Sequence, residues 1–159
     1  MLAVGTLAPE IKLLNQDGDL FDSTAELADG KWICVYFYPK DLTPACTEQG
    51  CLFRDLNKDF KALNCVVVGI SKDTARLHKK FLDTHKFTFD LLADTNHQVI
   101  DTYEVFVEKS MFGRKYMGIA RATYLINPDG KISAVWEKAD ASTNAASVLS
   151  KLQELQKNS

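Results

Sequence analysis

The apolar positions of the chain fall into short blocks separated by polar turns. Trp32-Ile33-Cys34-Val35-Tyr36-Phe37-Tyr38 is continuously apolar and aromatic, the pattern of a strand covered on both faces. Pro39 closes it. Cys65-Val66-Val67-Val68-Gly69-Ile70 is a second block of the same kind. Between them the period becomes helical. From Pro44 to Leu63, the residues Leu52, Phe53, Leu56, Phe60 and Leu63 share one stripe about 100° wide. Asp73 or Thr74 can cap a further helix running toward His85. Asp90 to Ala93 suggests a short strand, and Asn96 to Tyr103 a short helix.

The two ends of the chain read differently from the middle. Glu10 to Leu14 alternates weakly before the turn Asn15-Gln16-Asp17-Gly18-Asp19, which predicts an N-terminal hairpin or edge strand. Ala122 to Ile126 and Ile132 to Trp136 flank Asn127-Pro128-Asp129-Gly130, which predicts a second hairpin with a four-residue turn. A last amphipathic helix carries Val148, Leu149, Leu152 and Leu155. Alternating strands and helices followed by a hairpin predict an α/β fold, a mixed sheet with helices on both faces. In such sheets chemistry gathers beyond the carboxyl ends of the central strands. The segment after Tyr38 is therefore the first place to look.

Composition narrows the class. The 159 residues carry 19 basic and 21 acidic side chains, for a net charge of −2, and 46% of them are hydrophobic. A chain of this length buries ~70% of its unfolded surface in one core, so a single domain spanning 1–159 is expected. The near-neutral balance gives no basic footprint for nucleic acid or an anionic membrane. No apolar run approaches the ~18 residues of a membrane span. The N-terminus has no charged and apolar leader pattern, and a cytoplasmic setting is expected. Four cysteines are too few for a disulfide-built scaffold, but ample for redox chemistry.

The four cysteines divide by context. Cys34 and Cys65 belong to strand blocks, where cysteine is usually an inert small hydrophobe. Cys46 and Cys51 follow Tyr38-Pro39-Lys40-Asp41-Leu42-Thr43-Pro44-Ala45. Thr43 suits an N-cap and Pro44 the first helical position, which puts Cys46 in the first turn. Unpaired amide hydrogens and the positive end of the helix dipole favour a thiolate there. On the helical wheel Cys46 projects about 70° from the centre of the stripe, at its rim, and Cys51 about 150° away, beside Asp55 and Lys58. Five residues of helix separate the two by about 7.5 Å of rise and about 140° of rotation. A disulfide needs Cα atoms within ~7 Å, so pairing them requires the first turns to unwind. Gly50, between them, either weakens the helix by about 1 kcal/mol or marks close packing. His78, His85 and His97 are read as scattered on helical surfaces. Met111, Phe112, Tyr116 and Met117 are assigned to the core rather than to a pocket. A four-thiolate zinc site is poorly supported by the spacing.

Pro39-x-x-x-Thr43-x-x-Cys46 resembles the active-site signature of the peroxiredoxins. With Cys51 five residues on, the chain is most similar to their Q-type branch, the bacterioferritin comigratory proteins. Gly5 to Gly18, Trp32 to Asp55 and Met117 to Tyr124 carry the likeness. Ala45 and Gly50 depart from the glycine and alanine common at those positions. The resemblance implies a thioredoxin-like sheet with an N-terminal hairpin extension. It implies Cys46 as the peroxidatic cysteine and Cys51 as the resolving cysteine of the same chain, joined in an intrachain disulfide. It further implies Thr43 as a hydroxyl bonded to thiolate and peroxide, Pro39 as a shield for the sulfur, and Arg121 as the arginine beside it. The implied substrates are hydrogen peroxide and organic hydroperoxides, and the implied reductant is thioredoxin or a similar dithiol. The implied assembly is a monomer or weak homodimer. The cycle needs no metal, haem or flavin, because sulfur itself is oxidised and restored. A thiol–disulfide oxidoreductase would normally show Cys-x-x-Cys, and a redox sensor would use the same two cysteines without turnover.

Overall fold

The continuous apolar block forms the middle of the sheet. The structure, a computed structural model, describes residues 1–158. Its elements run β1 (Lys12–Leu14), β2 (Leu20–Asp22), α1 (Ser23–Ala28), β3 (Trp32–Phe37), α2 (Pro44–Ala62), β4 (Cys65–Ser71) and α3 (Ala75–His85). Then come β5 (Asp90–Ala93), α4 (Gln98–Thr102), β6 (Phe106–Met111), β7 (Arg114–Ile119), β8 (Ala122–Ile126), β9 (Ile132–Trp136) and α5 (Asn144–Lys157). Five strands make the main sheet in the order β5-β4-β3-β8-β9. β3, β4 and β5 are parallel, with α2 and α3 as crossovers, while β8 and β9 pair antiparallel. β1 and β2 form the N-terminal hairpin.

Each face of the sheet has its own core. Alternate residues of β3 divide between them, Ile33, Val35 and Phe37 on one face and Cys34 and Tyr36 on the other. The first face packs Val99, Ile100 and Tyr103 from α4 and its flank, together with Ile11, Leu13 and Phe21 from the N-terminal hairpin. The second takes Phe53 and Phe60 of α2, Phe81 of α3, and Val148 and Leu152 of α5. Pairing β8 antiparallel to β3, with Phe37 opposite Ala122, has one consequence for function. The end of β3 and the start of β8 lie at the same end of the sheet, so the segments after Tyr38 and before Ala122 meet there.

Three elements carried no sequence signal. α1 has only six residues, held by the Asp22 side chain accepting from the Thr24 amide, and is too short to show a period. The β6–β7 ribbon is a regular antiparallel pair with no continuous apolar face. Met111, Phe112, Tyr116 and Met117 sit on it exposed, Phe112 almost completely, so they are not core. The turn after β8 has five residues rather than four, because Lys131 joins it; the Asn127 side chain accepts from the amides of Asp129 and Lys131. No helix among the described residues is long and apolar enough to cross a membrane.

Candidate active site

The helix that carries Cys46 begins where the turn residues place it. Thr43 has an extended backbone at the N-cap position and Pro44 opens α2. The first helical hydrogen bond runs from the Thr47 amide to the Thr43 carbonyl at 2.8 Å. The amides of Ala45 and Cys46 precede it and add their positive ends to the sulfur's surroundings. The Thr43 side chain does not cap the helix. Its hydroxyl donates to the Lys40 carbonyl at 2.9 Å, which holds the loop to itself and leaves the oxygen as an acceptor. Pro39 is half-buried on the same loop, directly beyond the end of β3.

The buried face of α2 is not the stripe drawn from hydrophobicity. It consists of Cys46, Gln49, Gly50, Phe53, Asn57 and Phe60, while Leu52 and Leu56 are half-buried. Cys46 points within about 20° of Phe53 and is 2% exposed, so it sits in the face rather than at its rim. Two polar residues displaced the reading, because each has a buried partner. Asn57 donates to the Thr88 carbonyl and hydroxyl, and Gln49 belongs to the site.

Arg121, in the two-residue link between β7 and β8, reaches the helix with both arms. One terminal nitrogen donates to Cys46 Sγ at 3.3 Å, the other to Gln49 Oε1 at 2.6 Å. Gln49 Nε2 donates to Asn144 Oδ1 at 3.1 Å, which also accepts from the Thr123 hydroxyl at 2.8 Å. The guanidinium is thus held by a buried amide chain that runs into α5 and β8. A fixed, permanently charged fork beside sulfur stabilises negative charge on it and on an oxygen bound next to it. Lys109 on β6 faces the same group. Burial first, then the Arg121 charge, push its ammonium below its usual range, with the Cys46 sulfur opposing. Gln49, Asn144 and Lys109 were not singled out from sequence. Only the first offered a signal, a polar residue at a helical position three after Cys46.

Of the other cysteines, Cys34 and Cys65 match their predicted setting, while Cys51, expected on the polar side of α2, packs partly buried against the second core. Cys51 is half-buried on α2, and all four cysteines are unbonded. Cys34 and Cys65 are buried. Burial pushes the Cys34 thiol well above its usual range and the Cys65 thiol up to about 12. Iodoacetamide at pH 8 is therefore expected to label Cys46 and Cys51 in the native chain and to leave Cys34 and Cys65 until the chain is denatured. Peptide mapping reads this, and native labelling of Cys65 at the Cys46 rate would contradict it. Gly50 is a packing glycine. A Cβ there would stand 2.5 Å from the Phe87 ring. One histidine departs from expectation: His78 is wholly buried, because Asp41 and the Leu92 carbonyl satisfy both ring nitrogens.

Residues 4–135 match the AhpC/TSA family. The chain is 37% identical over 156 residues to peroxiredoxin Bcp of Bacillus subtilis, covering 97% of each. Among solved structures it is similar to a cysteine-to-serine variant of Xylella fastidiosa PrxQ, with a TM-score of 0.91, 28% identity and 98% of both chains covered. It is also similar to the Xanthomonas campestris bacterioferritin comigratory protein, whose trapped-intermediate and ligand complexes concern alkyl peroxide reduction. There the TM-score is 0.85 and the identity 31%, over 91% of this chain and 90% of that one.

Proposed function

The chain belongs to the AhpC/TSA family, within its Bcp/PrxQ peroxiredoxins, thiol peroxidases on a thioredoxin-like fold, and from that premise we propose how its own residues divide the work. Cys46 is the peroxidatic cysteine. Its thiolate attacks one oxygen of a hydroperoxide, the S–O bond forms as the O–O bond breaks, and the departing alkoxide takes a proton to leave as alcohol or water. Cys46 is then a sulfenic acid. The supporting observation is the Arg121 guanidinium at 3.3 Å from Sγ, placed at the start of a 19-residue helix. There it stabilises both the thiolate and the charge that grows on the oxygens. Thr43, whose proton is committed to Lys40, accepts from the peroxide O–H and turns its oxygen toward sulfur. Pro39 limits water on the loop side.

Cys51 is the resolving cysteine. Its sulfur attacks the Cys46 sulfenic acid, water leaves, and an intrachain disulfide forms. A dithiol such as thioredoxin returns both to thiols by exchange. α2 is continuous through both residues, so its first turns open once in every cycle. The reading takes the whole chain as one peroxiredoxin domain, working in the cytoplasm as a monomer or weak dimer. Hydrogen peroxide and alkyl hydroperoxides are its substrates.

Peptide mapping after one equivalent of peroxide, under non-reducing conditions, is expected to link Cys46 to Cys51 within one chain. With thioredoxin and its reductase present, many peroxides are consumed per chain. A link from Cys46 to any other cysteine, or a covalent dimer alone, would refute the intrachain step. A single stoichiometric oxidation would refute turnover.

A further inference from the structure

Beneath the loop that leads into α2 lies a group of buried polar side chains that the steps above do not use. Asp41, two residues before the N-cap, is 3% exposed. Its Oδ1 accepts from the Tyr38 hydroxyl at 2.5 Å, and its Oδ2 lies 2.6 Å from His78 Nδ1. Its backbone amide donates to Asp73 Oδ2 at 2.8 Å, and the Ser71 hydroxyl donates to the same oxygen at 2.6 Å. His78 Nε2 lies 2.9 Å from the Leu92 carbonyl oxygen. A carbonyl only accepts, so Nε2 carries a hydrogen. The Nδ1–Oδ2 contact then requires a proton of its own, and the His78–Asp41 pair holds one between them. Burial, followed by the Asp41 charge, raises the Tyr38 phenol well above its usual range, so Tyr38 remains a donor.

The arrangement ties one loop residue to three neighbouring strands. Tyr38 follows β3, Ser71 ends β4 with Asp73 just beyond it, and Leu92 lies in β5. Asp41 is the last side chain before α2 to be anchored in this way. Beyond it Leu42 takes a left-handed backbone, φ 64°, and the Thr43 hydroxyl turns back to Lys40. A buried carboxylate is tolerated only when fully paired, and apolar replacements of such pairs are often no less stable. Stability alone therefore gives little reason for an ion pair at this point of the loop.

We propose that the His78–Asp41 pair is a positioning latch for the peroxidatic segment, holding the 38–43 loop closed so that Cys46 stays beside Arg121, and setting how readily α2 unwinds toward Cys51. This rests on the roles of Cys46 and Cys51 given above. The latch opposes the second step of the cycle while it serves the first. Its removal therefore moves the two rates in opposite directions, which a general loss of stability does not do.

The test separates the two steps in a single turnover. Reduced chain is mixed with hydrogen peroxide and quenched with an alkylating agent at intervals, and intact mass follows first the sulfenic acid and then the disulfide. In His78→Leu, sulfenic acid formation is expected to slow by about tenfold and disulfide formation to quicken by a similar factor, the scale of one lost charge-assisted hydrogen bond. Tyr38→Phe keeps the ring and its packing, and is expected to slow sulfenic acid formation and quicken disulfide formation, each by about threefold. It carries the test if His78→Leu does not fold. Two rates that fall together, or stay unchanged, in the folded variants overturn the latch. The wild-type chain, run alongside, distinguishes the premises. If it forms no Cys46–Cys51 bond, the resolving role fails and the latch with it. If it forms the bond normally while the variants show no opposition, the latch alone fails.

Discussion

A Cys46→Ser chain is expected to consume no measurable peroxide, a fall on the order of 10⁴-fold or more, the scale seen when a nucleophile is removed. The serine hydroxyl sits in the same pocket with the same Arg121 donor, so binding and charge stabilisation survive while the reacting atom does not. Serine is not ionised near neutral pH, and oxygen does not cycle through a sulfenic acid. Cys34→Ser and Cys65→Ser are expected to retain turnover per folded molecule, because both sulfurs are buried in the sheet core and burial disfavours their thiolates. They lose stability instead, since a hydroxyl replaces an apolar group without a built-in partner. The check is peroxide consumption with thioredoxin and its reductase, normalised to folded protein. Full activity in Cys46→Ser would overturn the assignment.

Arg121→Gln is expected to lower kcat/KM for hydrogen peroxide by about 10²- to 10³-fold, the range for removing one preorganised donor from a reacting centre. The loss has two sources. The positive charge at 3.3 Å from sulfur disappears, and the Gln49 oxygen loses its 2.6 Å partner in a fully buried position. An unsatisfied buried acceptor costs about 1–3 kcal/mol, so urea unfolding should show the second source as a stability change. Arg121→Lys separates the two sources. Lysine keeps the charge but lacks the fork that bridges sulfur and amide, and an intermediate rate is expected, about tenfold below wild type. Pre-steady-state sulfenic acid formation measures both variants. A rate within threefold of wild type in Arg121→Gln would remove the guanidinium from the chemistry.

The sheet was legible because its strands are written in unbroken apolar residues. Trp32 to Tyr38 and Cys65 to Ile70 differ from the structure by one residue each. The start of α2 was equally plain, since Thr43 and Pro44 encode a helix N-terminus locally. Thr74, rather than Asp73, caps α3, because the Asp73 carboxylate is engaged with Asp41 and Ser71. What could not be read were polar residues satisfied at long range. Gln49 meets Asn144 across 95 positions and Asp41 meets His78 across 37. A hydrophobicity pattern treats each of these as surface, although each is buried once its partner is present. Arg121 was singled out chiefly through the family resemblance, its place before a predicted strand adding only that it could reach a site at neighbouring strand ends. Its role depends on β8 lying antiparallel beside β3, which no local pattern states. The β6–β7 ribbon escaped because its strands face solvent along most of their length.

The antiparallel seat of β8 also orders the assembly of the site in time. The Arg121 guanidinium stands 75 residues after Cys46. A ribosome adding ~5–20 residues per second emits those residues in about 4–15 s. During that interval the nascent chain already contains Cys46 but has no cation beside it, and the helix dipole is only as good as a helix that lacks its α5 support. Arg121 comes to lie beside the thiol only when β8 inserts next to β3, after most of the fold has been made. On the proposed roles, a chain that has not yet seated β8 is expected to react slowly with peroxide, because the topology that equips the finished site withholds Arg121 until late.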